Sequence, residues 1–141
     1  MSFAPHFRPM TEADLPSARQ LWSEVEGVEL AEGDSVEELA VYLRRNHGTS
    51  FVVMAGERLV GAVLAGHDGR RGLLYHLAVA RDHRGSGLGR ALVEGSLAAL
   101  KEVGVVRVLI LVSRDNPIGE KFWSAQGWEP LTFALPMGMD L

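Results

Sequence analysis

The feature that most constrains this chain is a glycine-rich turn between an apolar strand pattern and an apolar helix pattern. The stretch Leu77–Leu92 contains Gly85, Gly87 and Gly89 at alternate positions. Glycine permits backbone conformations that other residues avoid, so successive N–H groups can converge on an anion without obstruction by Cβ atoms. The helix that follows adds unpaired N–H groups and the positive end of its dipole. The stretch predicts a phosphate or pyrophosphate site, or alternatively a tight turn without a ligand.

Periodicity along the rest of the chain predicts one mixed α/β domain over residues 1–141, in the order β-α-α-β-β-β-α-β-α-β-β. Pro16 lies in the first turn of the first helix, and Ser35 with Glu38 forms a capping box that opens the second. Short connections predict antiparallel neighbours for the three middle strands, and the apolar run 105–112 predicts a strand covered on both faces. The predicted helices are 14–25, 36–46, 87–103 and 116–126, and the predicted strands are 7–10, 50–55, 58–66, 73–80, 105–112 and two within 128–141.

Composition excludes several classes of protein. The 141 residues include no cysteine, which rules out a disulfide scaffold, a thiolate metal site and a cysteine nucleophile. The net charge of −4 lacks the basic excess of a nucleic-acid-binding surface, so no nucleic acid partner is expected. The five histidines show no pair at metal-ligand spacing, so no metal is expected. With no apolar segment long enough for a signal peptide or a membrane span, we expect a cytoplasmic protein without a membrane partner.

Two familiar phosphate-binding loops do not match the glycine turn. A P-loop has Lys and then Ser or Thr after its last glycine, whereas Gly89 is followed by Arg90 and Ala91. A dinucleotide fingerprint needs a third glycine where Arg90 stands, and it belongs in the first strand–helix turn of a parallel sheet. Neither nucleotide-binding motif explains the turn.

The turn instead resembles the signature Arg/Gln-x-x-Gly-x-Gly/Ala of the GNAT superfamily of acyl-CoA-dependent N-acetyltransferases, through Arg84, Gly87 and Gly89. The similarity continues in order along the chain, at 7–14, 61–63, 77–79 and 116–128, and the turn at 67–72 is similar to small bacterial members related to the ribosomal-protein acetylases. The resemblance implies a central, mostly antiparallel sheet of about seven strands flanked by four helices. It also implies acetyl-CoA as cosubstrate and an amine-bearing acceptor, either a peptide or a small molecule; we also consider a homodimer.

The resemblance assigns residues to the cofactor. The backbone of Leu77, Ala78 and Val79 would pair with the pantetheine arm as an added strand, which requires this strand to splay from its neighbour. Val79 N–H would donate to the thioester oxygen as it becomes an oxyanion. The pyrophosphate would be held by the backbone N–H groups of Gly85, Ser86, Gly87, Leu88, Gly89 and Arg90. The side chains of Arg84 and Arg90 would add charge there or form a solvated rim. In the closing helix, Phe122 and Asn116 would contact the cofactor, with Asn116 near the thioester or acting as a helix cap.

Two catalytic positions of the family are changed here. Leu111 stands where a Glu base is common, and Trp123 stands where a Tyr acid is usual. Period-two alternation predicts Leu73, Tyr75, Leu77 and Val79 on one face of their strand and His76 on the other, which makes Tyr75 a catalytic or substrate-orienting candidate, or a core tyrosine. His76 is interpreted as a satisfied buried histidine or, alternatively, as a base. Acidic residues of the first two helices indicate a cationic acceptor or a solvated face. The alternative to an enzyme is a non-catalytic acyl-CoA-binding module.

Overall fold

The computed structural model describes residues 4–141 and divides the chain into two units, the first ending at Leu111 and the second running from Val112 to Leu141. The strands and helices of the first unit are β1 (His6–Pro9), α1 (Leu15–Glu24), α2 (Val36–Arg45), β2 (Phe51–Ala55), β3 (Arg58–His67), β4 (Gly72–Val79), α3 (Leu88–Glu102) and β5 (Val108–Ile110). Short 3₁₀ turns precede α1 and follow β4, at Glu12–Asp14 and Arg81–His83. The second unit contains α4 (Pro117–Ala125).

One five-stranded sheet organises the first unit, in the order β1-β2-β3-β4-β5. The first four strands pair antiparallel, whereas β5 pairs parallel with β4 after the crossover through α3. β1 is an edge strand, since among the described residues it pairs with β2 alone and Pro9 has no N–H to donate to a further ladder. The mixed α/β class with four helices and a mostly antiparallel sheet is therefore confirmed for the described residues.

Local signals place the helix ends as the sequence predicts. Ser35 Oγ accepts from Glu38 N–H at 3.1 Å, and Glu38 Oε1 accepts from Ser35 N–H at 3.2 Å. Such a cap stabilises a helix by about 1 kcal/mol, so α2 begins where the capping box stands. Gly104, after the last turn of α3, has a φ of +96°, the left-handed conformation in which a helix commonly ends.

Helices cover both faces of the sheet. A Cβ atom at Gly61 would lie 3.1 Å from Leu92 of α3, and one at Gly66 would lie 2.5 Å from the Tyr42 hydroxyl of α2. The two glycines are five positions apart on β3, an odd offset, so they lie on opposite faces. α3 therefore covers one face and the α1–α2 pair the other. Trp22 of α1 and Leu92 of α3 are fully buried in these two layers.

Two details of the predicted sheet are wrong. Residues 4–141 contain five strands instead of about seven, because residues 128–141 form no strand. This segment contains Pro130 and Pro136, which remove ladder donors, and a turn closes between Leu131 and Ala134. The apolar run 105–112 was expected to be covered on both faces, but only Val108–Ile110 forms a strand, half-buried and at one end of the sheet.

None of the helices within residues 4–141 is both long enough and apolar enough to cross a membrane.

Candidate functional site

The candidate site begins where β4 leaves its parallel neighbour. Pairing with β5 covers only Gly72–Leu74, while pairing with β3 continues to Val79. The edge of β4 from Tyr75 to Val79 therefore faces no strand among residues 4–141. Backbone groups on that edge are available to an extended ligand, as in β-augmentation. Leu77, Ala78 and Val79 lie in this open stretch, so the splay that the resemblance requires is present.

The loop after β4 presents a run of unpaired backbone donors. Gly85 and Gly87 adopt left-handed conformations with φ of +82° and +83°, and the chain then enters α3 at Leu88. The first backbone hydrogen bond of this helix runs from Ala91 N–H to Gly87 C=O, at 3.0 Å. Within the described part of the chain, none of the six consecutive N–H groups from Gly85 to Arg90 donates to a protein atom. Such a run at a helix N-terminus is suited to bind phosphate oxygens.

The loop is open where a ligand would approach it. A Cβ atom built on Gly85 or Gly87 would meet no protein atom within 4 Å. The buried side chain of Leu88 anchors the first turn of α3, whereas residues 84–87 are exposed. Ser86 Oγ donates to the His83 carbonyl at 2.9 Å, which ties the loop to the preceding 3₁₀ turn. The donors are therefore held by the fold and exposed to solvent.

Arginine side chains around the loop have different partners. Arg84 Nε donates to the Val79 carbonyl at 3.0 Å, which links the loop to the open edge of β4. Its guanidinium also lies 3.7 Å from a Glu26 carboxylate oxygen, and Arg81 pairs with the same carboxylate. Arg90 instead pairs with Glu94 one turn along α3, at 2.9 Å, as a solvated rim residue would. Arg84 is thus the arginine whose contacts join the two parts of the candidate site.

A β-bulge interrupts the alternation of β4. Two residues, His76 and Leu77, lie opposite Val63, and the register shifts there. Tyr75 pairs with Leu64 while Val79 pairs with Gly61, and those two positions of β3 point to opposite faces. The prediction that Leu73, Tyr75, Leu77 and Val79 share one face is therefore wrong, because the extra residue reverses the alternation beyond it.

The bulge places Tyr75 and His76 together on the α1–α2 face. The two rings are 6.4 Å apart, and the His76 ring packs edgewise on Trp22 of α1 at 5.2 Å. His76 Nε2 lies 3.0 Å from Asp34 Oδ1 in the α1–α2 connection. Burial raises the pKa of the half-buried Tyr75 phenol, so this group stays protonated at neutral pH. Sequence reasoning missed Asp34, since nothing local marks a loop aspartate as the partner of a strand histidine.

In the second unit, the candidate residues lie on or beside α4. Asn116 Oδ1 accepts from Gly119 N–H at 3.0 Å, so Asn116 is the helix cap that the sequence predicted as one of its two roles. The ring of Phe122 packs edgewise on Trp123 at 5.2 Å, and Trp123 packs on Trp128 at the same distance. Three aromatic rings thus form a continuous cluster in this unit.

Among residues 4–141, no three His, Asp or Glu side chains are grouped as metal ligands would be.

Comparisons with known proteins agree with this geometry. The model of the acetyltransferase (GNAT) family matches residues 11–128. A protein of Yersinia pestis (strain Pestoides F) named acetyltransferase is 33% identical over 81 residues, which are 56% of this chain and 57% of that protein. The matched region thus spans little more than half the length of the curated relatives.

Solved structures share the fold. Ard1 from Thermoplasma volcanium superposes with a TM-score of 0.77 at 19% identity, over 88% of this chain and 82% of that one. The Paia N-acetyltransferase from Thermoplasma acidophilum, in complex with coenzyme A, gives a TM-score of 0.74 at 18% identity, over 90% and 91% of the two chains.

Proposed function

Since the chain belongs to the acetyltransferase (GNAT) family, we propose that it transfers the acetyl group of acetyl-CoA to a primary amine. The observation that carries this proposal is the run of six unpaired N–H groups from Gly85 to Arg90, next to the open edge of β4. The two features suit the two halves of coenzyme A, an anionic pyrophosphate and an amide-containing arm. The Paia relative, whose structure holds coenzyme A, supports the same choice of ligand.

In this proposal, the backbone of the chain holds the cosubstrate. The N–H groups of Gly85, Ser86, Gly87, Leu88, Gly89 and Arg90 surround the pyrophosphate. Arg84 adds positive charge there, since its side chain already bridges the loop and β4. Leu77, Ala78 and Val79 pair with the amides of the pantetheine arm along the open edge. Asn116 and Phe122 of the second unit are proposed as further contacts of the arm.

Positioning contributes most of the proposed rate enhancement. Holding a thioester and an amine at near-attack distance replaces the encounter of two molecules in solution. Val79 N–H donates to the thioester oxygen while the amine nitrogen forms its bond to the carbonyl carbon. The carbon–sulfur bond then breaks, and the departing thiolate takes up a proton. A thiol has a pKa of about 8.5, so its anion is a tolerable leaving group near neutral pH even where Trp123 replaces the usual tyrosine.

The acceptor is proposed to be an amine of a peptide, a protein or a small molecule. Tyr75 faces the α1–α2 layer, where it would orient that amine. The acidic residues of the α1–α2 region favour a cationic acceptor, since they include Glu24, Glu26, Glu29, Glu32, Glu37 and Glu38. We further propose that residues 1–141 act as one cytoplasmic domain without nucleic acid or membrane partners. A homodimer stays a prediction.

A second function is favoured by the two changed catalytic positions. With Leu111 and Trp123 in place of a glutamate and a tyrosine, the chain would bind acyl-CoA without transferring the acyl group. Such a module would act as a sensor or as the regulatory subunit of a partner. It shares the phosphate loop with the enzyme, so cofactor binding alone does not separate the two functions.

Two measurements on the whole chain separate these functions. Isothermal titration with acetyl-CoA is expected to show one bound molecule per chain, and no binding would reject both. Release of free coenzyme A is then followed with spermidine, a lysine peptide, a peptide with a free N-terminus and kanamycin. Amine-dependent release supports the transferase, whereas binding without release by any amine supports the module.

A further inference from the structure

His76 holds a backbone conformation that a histidine rarely adopts. Its φ is +54°, and among residues 4–141 it is the one non-glycine residue with a positive φ. It lies at the bulge of β4, within the open edge that runs from Tyr75 to Val79. Strained conformations of this kind persist only where the surroundings impose them, and they cluster at functional sites. Here the strained residue directs its imidazole toward the α1–α2 layer.

The surroundings fix the imidazole through one carboxylate. Asp34 Oδ1 lies 3.0 Å from His76 Nε2, while its Oδ2 accepts from Ala31 N–H at 3.0 Å. The Asp34 carbonyl accepts from Arg19 Nε of α1 at 2.8 Å, so the residue is held from both sides. Trp22, fully buried, packs edgewise on the imidazole. This arrangement orients one ring nitrogen and leaves the other for a different partner.

That other nitrogen is open. The His76 side chain is 17% exposed, and its Nδ1 is not among the buried unpaired polar atoms of the described residues. An imidazole with one nitrogen beside a carboxylate and the other open to solvent has the layout of a general base. Acetyl transfer needs such a base because an alkyl amine with a pKa of about 10.4 is mostly protonated at neutral pH.

Resting on the proposed function, we infer that His76 is the base that deprotonates the acceptor amine and that Asp34 is its positioning residue. Nδ1 takes one proton from the bound ammonium, directly or through one water. The free amine attacks the thioester carbon, the carbon–sulfur bond breaks, and the second amine proton goes to the leaving thiolate. The imidazolium then releases its proton to solvent, so the sum is amide, coenzyme A thiol and one proton.

The position along β4 suits this role. His76 lies three residues before Val79, so their Cα atoms are at most about 10 Å apart, and the bulge between them shortens the strand further. Two titratable groups neighbour the ring, Asp34 of the α1–α2 connection and Tyr75 of β4. Beyond them, Arg19 of α1 donates to the Asp34 carbonyl, and Tyr42 of α2 interacts electrostatically with Tyr75. Tyr42 and Tyr75 stay neutral near pH 7 because burial raises the pKa of both phenols.

The decisive variant is His76→Asn. Asparagine tolerates a positive φ and can still donate to Asp34, but it does not titrate. His47→Asn is the matched control, since His47 is exposed in the connection after α2. Turnover is measured as release of coenzyme A from acetyl-CoA, with the four amines named above and with trifluoroethylamine, which is already neutral near pH 7.

If His76 is the base, kcat/KM for the basic amines falls about 100-fold or more in His76→Asn, while acetyl-CoA affinity is kept. Near neutral pH the wild-type kcat/KM depends only weakly on pH, because a base on the enzyme takes the ammonium proton. The variant instead rises about tenfold per pH unit with the fraction of free amine. It retains wild-type turnover of trifluoroethylamine. In Asp34→Asn, kcat/KM for the basic amines falls in the same selective way while turnover of trifluoroethylamine is kept, because the imidazole loses the carboxylate that orients it.

Other results overturn the assignment in distinguishable ways. If His76→Asn keeps the wild-type pH profile, or loses turnover of trifluoroethylamine as severely as that of the basic amines, His76 has a structural role only. If the wild-type chain releases coenzyme A with none of the amines, the proposed transferase function is wrong, and the assignment of His76 as its base is wrong with it.

Discussion

Gly87→Val tests the phosphate loop. Gly87 has a φ of +83°, and a Cβ atom there would meet no protein atom within 4 Å. The substitution therefore changes two things only: the left-handed conformation becomes costly, and a branched side chain projects beside the unpaired N–H groups. A left-handed residue other than glycine costs about 1–2 kcal/mol. For a chain of this size, that loss lowers the melting temperature by about 2–8 °C.

The loss of binding should be larger than the loss of stability. If valine displaces two of the donors from the pyrophosphate, two hydrogen bonds to a charged group are lost, each of about 1.5–3 kcal/mol. Acetyl-CoA affinity then falls by at least about 100-fold, which isothermal titration measures directly. Gly104→Val is the matched control, because Gly104 also has a positive φ, +96°, and free space around its Cβ position. It should lose similar stability and keep wild-type affinity.

The control separates strain from ligand binding. Wild-type affinity in Gly87→Val, with both variants folded, would refute the assignment of the loop to the pyrophosphate. An equal loss of affinity in Gly104→Val would also contradict it, since backbone strain alone would then explain the defect.

Three further changes have defined outcomes. Arg84→Met removes the donor to the Val79 carbonyl and should weaken acetyl-CoA binding about tenfold, with a smaller dependence of affinity on salt. Isothermal titrations at two ionic strengths measure both effects, and wild-type affinity at both would contradict this. Trp123→Phe should keep turnover within about threefold of the wild type, since no acid is needed at this position. Trp123→Tyr should equal or exceed wild-type turnover. A large loss of turnover in Trp123→Phe, with intact acetyl-CoA binding and melting temperature, would contradict this account. Burial alone would raise the pKa of Asp14, but hydrogen bonds from Arg8 and from a backbone N–H outweigh burial and lower the pKa. This carboxylate therefore stabilises the fold above about pH 4, and the stabilisation is lost as the pH falls further. Asp14→Asn should therefore lower the melting temperature more at pH 7 than at pH 3, and equal losses would contradict the ion pair.

The parts of the fold that follow from sequence are those with local signals. The Ser35–Glu38 box fixes the start of α2, and Gly104 marks the end of α3, because each satisfies backbone groups that a helix end leaves unpaired. The glycine turn likewise predicts a strand, a loop of free N–H groups and a helix. For this reason the loop half of the candidate site could be located without coordinates.

The other part of the candidate site, around Tyr75 and His76 where the acceptor amine is proposed to bind, could not be located in this way. Alternation assumes a regular strand, and the bulge at His76 reverses it, so Tyr75 and Val79 were placed on one face by a rule that does not hold there. The contact between Asp34 and His76 joins a loop to a distant strand, and no local pattern encodes such a pairing. The expected strands beyond Trp128 fail for a visible reason, since Pro130 and Pro136 interrupt the ladder.

The central claim is that this chain moves an acetyl group from acetyl-CoA to an amine. The most direct measurement incubates the whole chain with isotopically labelled acetyl-CoA and each amine of the panel, and then follows the amine by mass spectrometry. We expect a labelled amide from at least one amine, formed in equal amount to the coenzyme A thiol and absent with Gly87→Val. Tight binding of acetyl-CoA with no labelled amide from any amine would contradict the claim and identify the chain as an acyl-CoA-binding module.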